Sequence, residues 1–241
     1  MLSLENVSVQ RADTLALKNV SLSLEAGRTL AVVGESGAGK STLLSAILAL
    51  VPLSSGSVNW SGRPVRDSYP SLVMQEPRSA FNPAISLHQS VQEPLLARDL
   101  KLSASRLERM CDGLELDSGI LARRPTEVSI GQAQRVGILR ALVSSPPLVL
   151  FDEPLSALDA VTQKHTAKLV ADLQAEEGFA ALIVTHDLGY ACAFADTIAV
   201  LRAGLVEEVA RPDEFLKSPE SAYGQMLREA AIGLGALERV D

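Results

Sequence analysis

The chain has 241 residues, of which 47% are apolar, 21% charged and 4% aromatic. That length is ample for a buried core, and the apolar share excludes intrinsic disorder. A formal net charge of −7 argues against a protein that coats nucleic acid or adheres to an anionic membrane surface, since both need clustered Lys and Arg.

The N-terminus alternates apolar and polar residues over 2–9, the pattern of a half-buried strand rather than a signal peptide. A second alternating run covers 18–24, and Ala26-Gly27 turns the chain into the apolar run 29–33. A helix is expected from about 40 to 50, a turn at Ser54-Ser55-Gly56, and short strands at 57–60 and 72–74. The longest uncharged stretch, 41–62, contains Pro52, Gly56, Gly62 and several serines, so it is not a membrane span. From 83 to 145 helical periodicity dominates, as in Leu87, Val91, Leu95 and Leu107, Met110, Leu114, and no strand is expected. Apolar strands return at 148–151, 181–184 and 198–201, separated by helices at about 160–176 and 188–194. Short apolar strands alternating with helices predict a parallel sheet covered on both faces, with the middle helices inserted. No Gly/Ser/Pro linker interrupts the chain. The expectation is one domain over 1–241, with a helical subdomain at about 83–145. Cys111 and Cys192 stand far apart, with no partner at metal-ligand spacing. Both are expected to be buried thiols in a reducing compartment. These features predict a soluble, cytoplasmic chain whose membrane role, if any, comes through a partner.

Two segments carry chemistry. Gly34-Glu35-Ser36-Gly37-Ala38-Gly39-Lys40-Ser41, followed by Thr42, fits G-x-x-x-x-G-K-[ST] between a buried strand and a helix. Its glycines let backbone N–H groups curl around a phosphate, and the helix N-terminus adds partial positive charge. Lys40 is placed to reach the β- and γ-phosphates of ATP, and Ser41 to ligate Mg²⁺. Leu148-Val149-Leu150-Phe151-Asp152-Glu153 is an apolar strand with two carboxylates at its C-terminal end, where open α/β sheets bind ligands. Asp152 suits the Mg²⁺ shell, and Glu153 suits a general base for an attacking water.

With these segments the sequence resembles the ATP-binding subunits of ABC transporters over nearly its whole length. The resemblance implies an α/β fold: a P-loop NTPase (RecA-like) parallel-sheet core, an N-terminal antiparallel β subdomain and an inserted helical subdomain. Gln75 in Val73-Met74-Gln75-Glu76-Pro77 is similar to the family's Q-loop glutamine, which contacts Mg²⁺ and the attacking water. Asp159 in Ser156-Ala157-Leu158-Asp159 resembles the D-loop residue that reaches across a dimer interface. His186 in Val184-Thr185-His186-Asp187 resembles the histidine that contacts the γ-phosphate, whereas His88 and His165 have no such context. Ser129, Gly131 and Gln132 match the family's Leu-Ser-Gly-Gly-Gln signature, which binds a γ-phosphate presented by another subunit. Val128 and Ile130 depart from it, and Ile130 is a poor substitute if the replaced glycine served a positive φ. An N-cap role for Ser129 stands beside the functional one. The early aromatic that stacks on adenine in the family is missing; either Arg11 stacks there or the adenine lacks this platform, and weaker ATP binding is expected.

Gln75 is followed by Glu-Pro-Arg-Ser-Ala-Phe-Asn-Pro and then by Val91-Gln92-Glu93-Pro94-Leu95, which resembles the peptide/nickel importer branch. Arg124-Pro125-Thr126-Glu127 and the segment 217–223, similar to a His-Pro-Tyr motif, fit the same branch. The plain alternative for that tail is a terminal helix packing Tyr223, Met226 and Leu227. No clustered cysteines follow before Asp241, so no iron–sulfur cluster is expected. The resemblance implies a head-to-tail dimer with a second ATPase subunit, identical or different. It also implies integral membrane permease subunits, indirectly an extracytoplasmic substrate-binding protein, and no nucleic acid. The expected place is the cytoplasmic face of the inner membrane, held peripherally through the permeases. The alternatives left open are a nucleotide-binding regulatory subunit with weak hydrolysis, motivated by Ile130 and the missing aromatic, and a non-transport ABC ATPase.

Overall fold

In the computed structural model, which describes residues 1–237, the chain falls into two units. One joins Met1–Pro70 to Ala180–Asp241 and the other is Ser71–Phe179. The first opens with a hairpin, β1 (Leu2–Arg11) and β2 (Thr14–Leu24), closed by the two-residue turn Ala12-Asp13. Leu2, Leu4, Val7 and Val9 of β1 and Leu17, Val20, Leu22 and Leu24 of β2 are buried. The chain then enters β3 (Thr29–Val33), buried at every residue, and α1 (Lys40–Ile47), shorter than the periodicity predicts. β4 (Ser55–Trp60) and β5 (Arg63–Pro64) complete an antiparallel sheet of order β2-β1-β4-β5. Gly56 lies inside β4 rather than in the expected turn. It sits at φ 86°, where the β1–β4 register breaks, and a Cβ there would stand 2.3 Å from the Glu5 carbonyl. This is a bulge whose extra residue lies on β1, where Asn6 and Val7 face Gly56 alone, and the close approach of the bulged backbone is what requires glycine.

The second unit contains β6 (Ser71–Val73), α2 (Leu87–Leu96), α3 (Ala104–Gly113), α4 (Ile130–Leu142), β7 (Leu148–Asp152) and α5 (Ala160–Glu177). β6 and β7 pair in parallel. The helices begin where the sequence supplies caps: Ser86 with Gln89 for α2, Ser103 for α3, Ser129 with Gln132 for α4, and Asp159 for α5. The helical stretch at 83–145 lies inside this unit, which also takes in β6, β7 and α5.

The first unit resumes with β8 (Ala180–Thr185), α6 (Leu188–Phe194), β9 (Thr197–Arg202), β10 (Leu205–Ala210), α7 (Pro212–Lys217) and α8 (Ala222–Gly233). β3 pairs in parallel with β8 on one side and β9 on the other, and β10 runs antiparallel to β9. Ala31, Val33, Ile198 and Val200 of this sheet pack with Leu188, Ala191, Phe215, Tyr223 and Ala231 of α6–α8. β10 escapes the sequence reading because Glu207-Glu208 interrupts its apolar alternation. Two expectations are corrected. Cys111 is buried, but Cys192 is only partly so. Met226 does not pack with Tyr223; it is 63% exposed. Asp241, where the sequence ends, lies outside the described residues. Among the described residues no helix is long and apolar enough to cross a membrane.

Candidate nucleotide site

The phosphate loop is residues 34–39, between the end of β3 and the start of α1. Backbone proximity explains its glycines. A Cβ on Gly34 would stand 2.1 Å from the Leu201 carbonyl oxygen of β9, and one on Gly39 would stand 2.8 Å from that of Ala16 in β2. Gly37 and Gly39 also have φ of 84° and 112°, which side chains disfavour. The β9–β10 turn wedges the loop in place. The Gly204 N–H donates to the Ala38 carbonyl at 2.9 Å, and the Gly204 carbonyl accepts from the Lys18 N–H at 2.8 Å. The Lys40 ammonium donates to the carbonyls of Gly34 at 2.7 Å and Glu35 at 3.1 Å. Glu35, Ser36 and Ser41 are exposed, Thr42 is half-buried and Ala38 is buried.

Strand register places His186 beside this loop. Val33 lies opposite Thr185, so Gly34 and His186 leave adjacent parallel strands at one edge. His186 is exposed. The chain after it is fixed by Asp187, whose N–H donates to Thr185 Oγ1 at 3.0 Å and whose carboxylate caps α6 by accepting from the Tyr190 N–H at 2.9 Å. Burial and the Asp187 charge push the Tyr190 phenol well above its usual range. Arg11 is exposed at the hairpin tip, opposite Thr14, on the same hairpin whose Ala16 meets Gly39.

In the second unit Val73 lies opposite Phe151, so Gln75 and Glu153 each stand two residues beyond that pair on adjacent parallel strands. Asp152 is the last residue of β7. Gln75 is exposed, and Asp152 and Glu153 are half-buried. Glu153 sits at φ 46°, a left-handed conformation that costs a non-glycine residue about 1–2 kcal/mol. The following turn supports it: the Ser156 hydroxyl donates to the Glu153 carbonyl at 3.0 Å.

Ser129 takes up the N-cap role. Its hydroxyl accepts from the Gln132 N–H at 3.1 Å, and the Gln132 side-chain oxygen accepts from the Ser129 N–H at 3.0 Å. The box leaves the first-turn amides of Ile130 and Gly131 without intrahelical partners, as at any helix start. Ile130 is the first helical residue, 43% exposed, and its φ is not positive. The backbone there does not require glycine. Asp159 is exposed and caps α5, accepting from the Val161 and Thr162 N–H groups and from the Thr162 hydroxyl at 2.7 Å. These bonds, the Thr162 hydroxyl foremost, hold its carboxyl below the usual range.

The sequence reading missed two arginines. Arg78 Nη2 donates to the Val128 carbonyl at 2.5 Å, tying the Gln75 segment to the residue before Ser129. Arg140 of α4 donates to the Ala80 carbonyl at 2.6 Å and lies 4.5 Å over the Phe81 ring. Arg78 stood in the run quoted as a branch marker, but nothing in that run says which carbonyl it reaches. His165 is not a bare surface residue: its Nε2 lies 2.7 Å from Glu115 Oε2.

The donors assigned to Mg²⁺ are a hydroxyl (Ser41), an amide oxygen (Gln75) and a carboxylate (Asp152), all hard oxygen ligands of the kind that ion takes. Ser41 and Gln75 are exposed, so each can also admit water, as that ion's shell requires.

Comparison with known proteins shows the family. A family model described as ABC transporter matches residues 17–156. The chain is 35% identical over 229 residues to the oligopeptide transport ATP-binding protein OppF of Haemophilus influenzae, covering 89% of this chain and 69% of that protein. It is 35% identical over 232 residues to the nickel import ATP-binding protein NikE of Shigella dysenteriae, covering 90% and 85%. Among solved structures it is similar to cbiO1 from Clostridium perfringens, part of the cbiONQ transporter complex. There the TM-score is 0.80 and the identity 26%, over 97% of this chain and 95% of that one. It is likewise similar to the ATP-binding cassette MJ0796, a dimer in a post-hydrolysis state bound to ADP and Pi. There the TM-score is 0.76 and the identity 30%, over 88% and 99%. The fold is that of the ABC ATPases, and the chain belongs to the ABC transporter family as an ATP-binding cassette.

Proposed function

We propose that this chain is the ATP-hydrolysing subunit of an importer for peptides, nickel or metal–chelate complexes. The similarity to OppF and NikE supports the substrate classes. The observation that carries the chemistry is the shared register of Gln75 and Glu153, each two residues beyond the Val73–Phe151 pair of adjacent strands, with Glu153 held in a left-handed backbone. Glu153 takes a proton from the attacking water and Gln75 orients that water. Lys40 and His186 stabilise charge on the γ-phosphate. Ser41, Gln75 and Asp152 hold Mg²⁺, which supplies charge neutralisation at the phosphates when bound. Residues 34–42 of one subunit and Ser129, Gly131 and Gln132 of a second enclose each ATP, and Asp159 reaches across that interface. Arg11 meets the adenine. In this reading 1–241 acts as a single ABC ATPase domain with its helical subdomain at about 83–145. The second ATPase is a copy or a different polypeptide. The Gln75 segment contacts the integral membrane permeases, which hold the subunit at the cytoplasmic face and are served by an extracytoplasmic binding protein.

A regulatory subunit with weak hydrolysis is the second reading, raised by Ile130. The helical backbone at Ile130 weakens it, because no strain opposes an ordinary helix start there. A Glu153→Gln variant decides between the two. Hydrolysis is expected to fall by about 10²–10⁴ while ATP binding persists and the protein elutes as a closed dimer with ATP. Unchanged phosphate release in that variant removes Glu153 from the mechanism and favours the regulatory reading.

A further inference from the structure

The C-terminal helix α8 sends one polar atom to the phosphate loop. The Tyr223 hydroxyl oxygen accepts from the Glu35 N–H at 3.2 Å. That N–H belongs to the same peptide unit as the Gly34 carbonyl, which accepts from the Lys40 ammonium at 2.7 Å. One peptide plane is therefore held from both ends: Tyr223 on its donor, Lys40 on its acceptor. Hydrogen bonds in such a chain polarise one another, so the first strengthens the second. More simply, the tyrosine fixes the plane's rotation and with it the direction of the carbonyl that holds the lysine.

Tyr223 is itself firmly placed. It is 7% exposed, and its ring joins the core cluster of Val33, Val200 and Phe215. The Arg202 guanidinium lies 4.7 Å over that ring. The start of α8 is anchored by Glu208 of β10, a carboxylate only 8% exposed, which accepts from the Ser221 N–H at the helix N-terminus. Gly224 permits that approach, because a Cβ there would stand 2.8 Å from the Glu208 carboxylate. A buried acid thus anchors the helix, and the helix aims a hydroxyl at the loop.

We infer that Tyr223 is a positioning residue for nucleotide binding: through the Gly34–Glu35 peptide it sets the loop and Lys40 in the geometry that receives the phosphates. The inference rests on the reading of residues 34–42 as the ATP site. The test is a double-mutant cycle on the full chain, with Tyr223→Phe, Lys40→Met and the pair. ATP dissociation constants are read by titration with a fluorescent ATP analogue, and unfolding midpoints are measured alongside. Loss of one hydrogen bond predicts about three- to tenfold weaker ATP binding for Y223F. In the K40M background the same change is expected to shift ATP binding less than twofold. A structural role alone would lower the unfolding midpoint and leave the affinity, or weaken binding equally in both backgrounds. Either result overturns the inference. If the wild-type chain binds no nucleotide, the function proposed above fails first, and that outcome is distinct from wild-type binding that Y223F leaves intact.

Discussion

The phosphate loop and the signature segment are held in opposite ways. The loop is fixed by backbone against backbone: Gly34 under the Leu201 carbonyl, Gly39 against Ala16, and Gly204 bonded to Ala38. The signature segment is fixed by long side chains that cross between elements, Arg78 to the Val128 carbonyl and Arg140 to Ala80 and Phe81. Apart from the Tyr223 hydroxyl on the Glu35 N–H this clamp is backbone, and it suits a site that must present amides in one geometry. An arginine clamp bridges a wider gap and yields when its carbonyl moves. It suits a segment that, in the proposed function, faces a second subunit.

The comparison is broken most severely at Gly34. A Gly34→Ala substitution places a methyl group 2.1 Å from a backbone oxygen that cannot rotate away. Destabilisation of about 3 kcal/mol is expected from urea unfolding, with loss of ATP binding. Gly37 provides the contrast. It has open space around its Cβ position and only a positive φ, so Gly37→Ala should cost about 1–2 kcal/mol. Equal losses at the two positions would mean that close approach is not what holds the loop.

The arginine clamp is expected to matter less to stability and differently to function. Arg78→Met keeps the stem and removes the charged donor to Val128. About 1–2 kcal/mol should be lost in unfolding. ATP binding to the subunit alone should be unchanged, since the bond removed runs to the Val128 carbonyl and not to the phosphate loop. Partner-stimulated hydrolysis should fall. A Met variant with normal stimulation would show that the tie between the Gln75 segment and the signature serves folding only.

The same contrast explains how much could be read beforehand. The loop's requirement is a residue type at fixed spacing, so Gly34, Gly39 and Lys40 are visible in the sequence. Asp152 and Glu153 stand out because an apolar run announces the strand that carries them, whereas Gln75 and His186 are picked out only by the family resemblance. Their shared offsets, Val33 against Thr185 and Val73 against Phe151, are not legible, because register depends on pairing and not on local pattern. Arg78 and Tyr223 act on backbone groups far along the chain, and a carbonyl or amide as partner leaves no mark on the residue that reaches it. β10 was hidden for a related reason: Glu208 faces inward to meet α8, which breaks the alternation that marks a strand.

The smallest expected effect concerns Ile130, where sequence and structure pull apart. If the usual glycine were needed for its backbone, Ile130→Gly would relieve strain and raise stability. The position is instead the first residue of a capped helix with no positive φ. Glycine there loses conformational entropy on folding and removes a side chain that is only partly exposed. The variant should therefore be less stable by about 0.5 kcal/mol in thermal unfolding. A stability gain would show that the isoleucine strains the helix start. A loss, paired with faster hydrolysis in the dimer, would place the family's preference for glycine in the space left for a facing nucleotide rather than in the backbone.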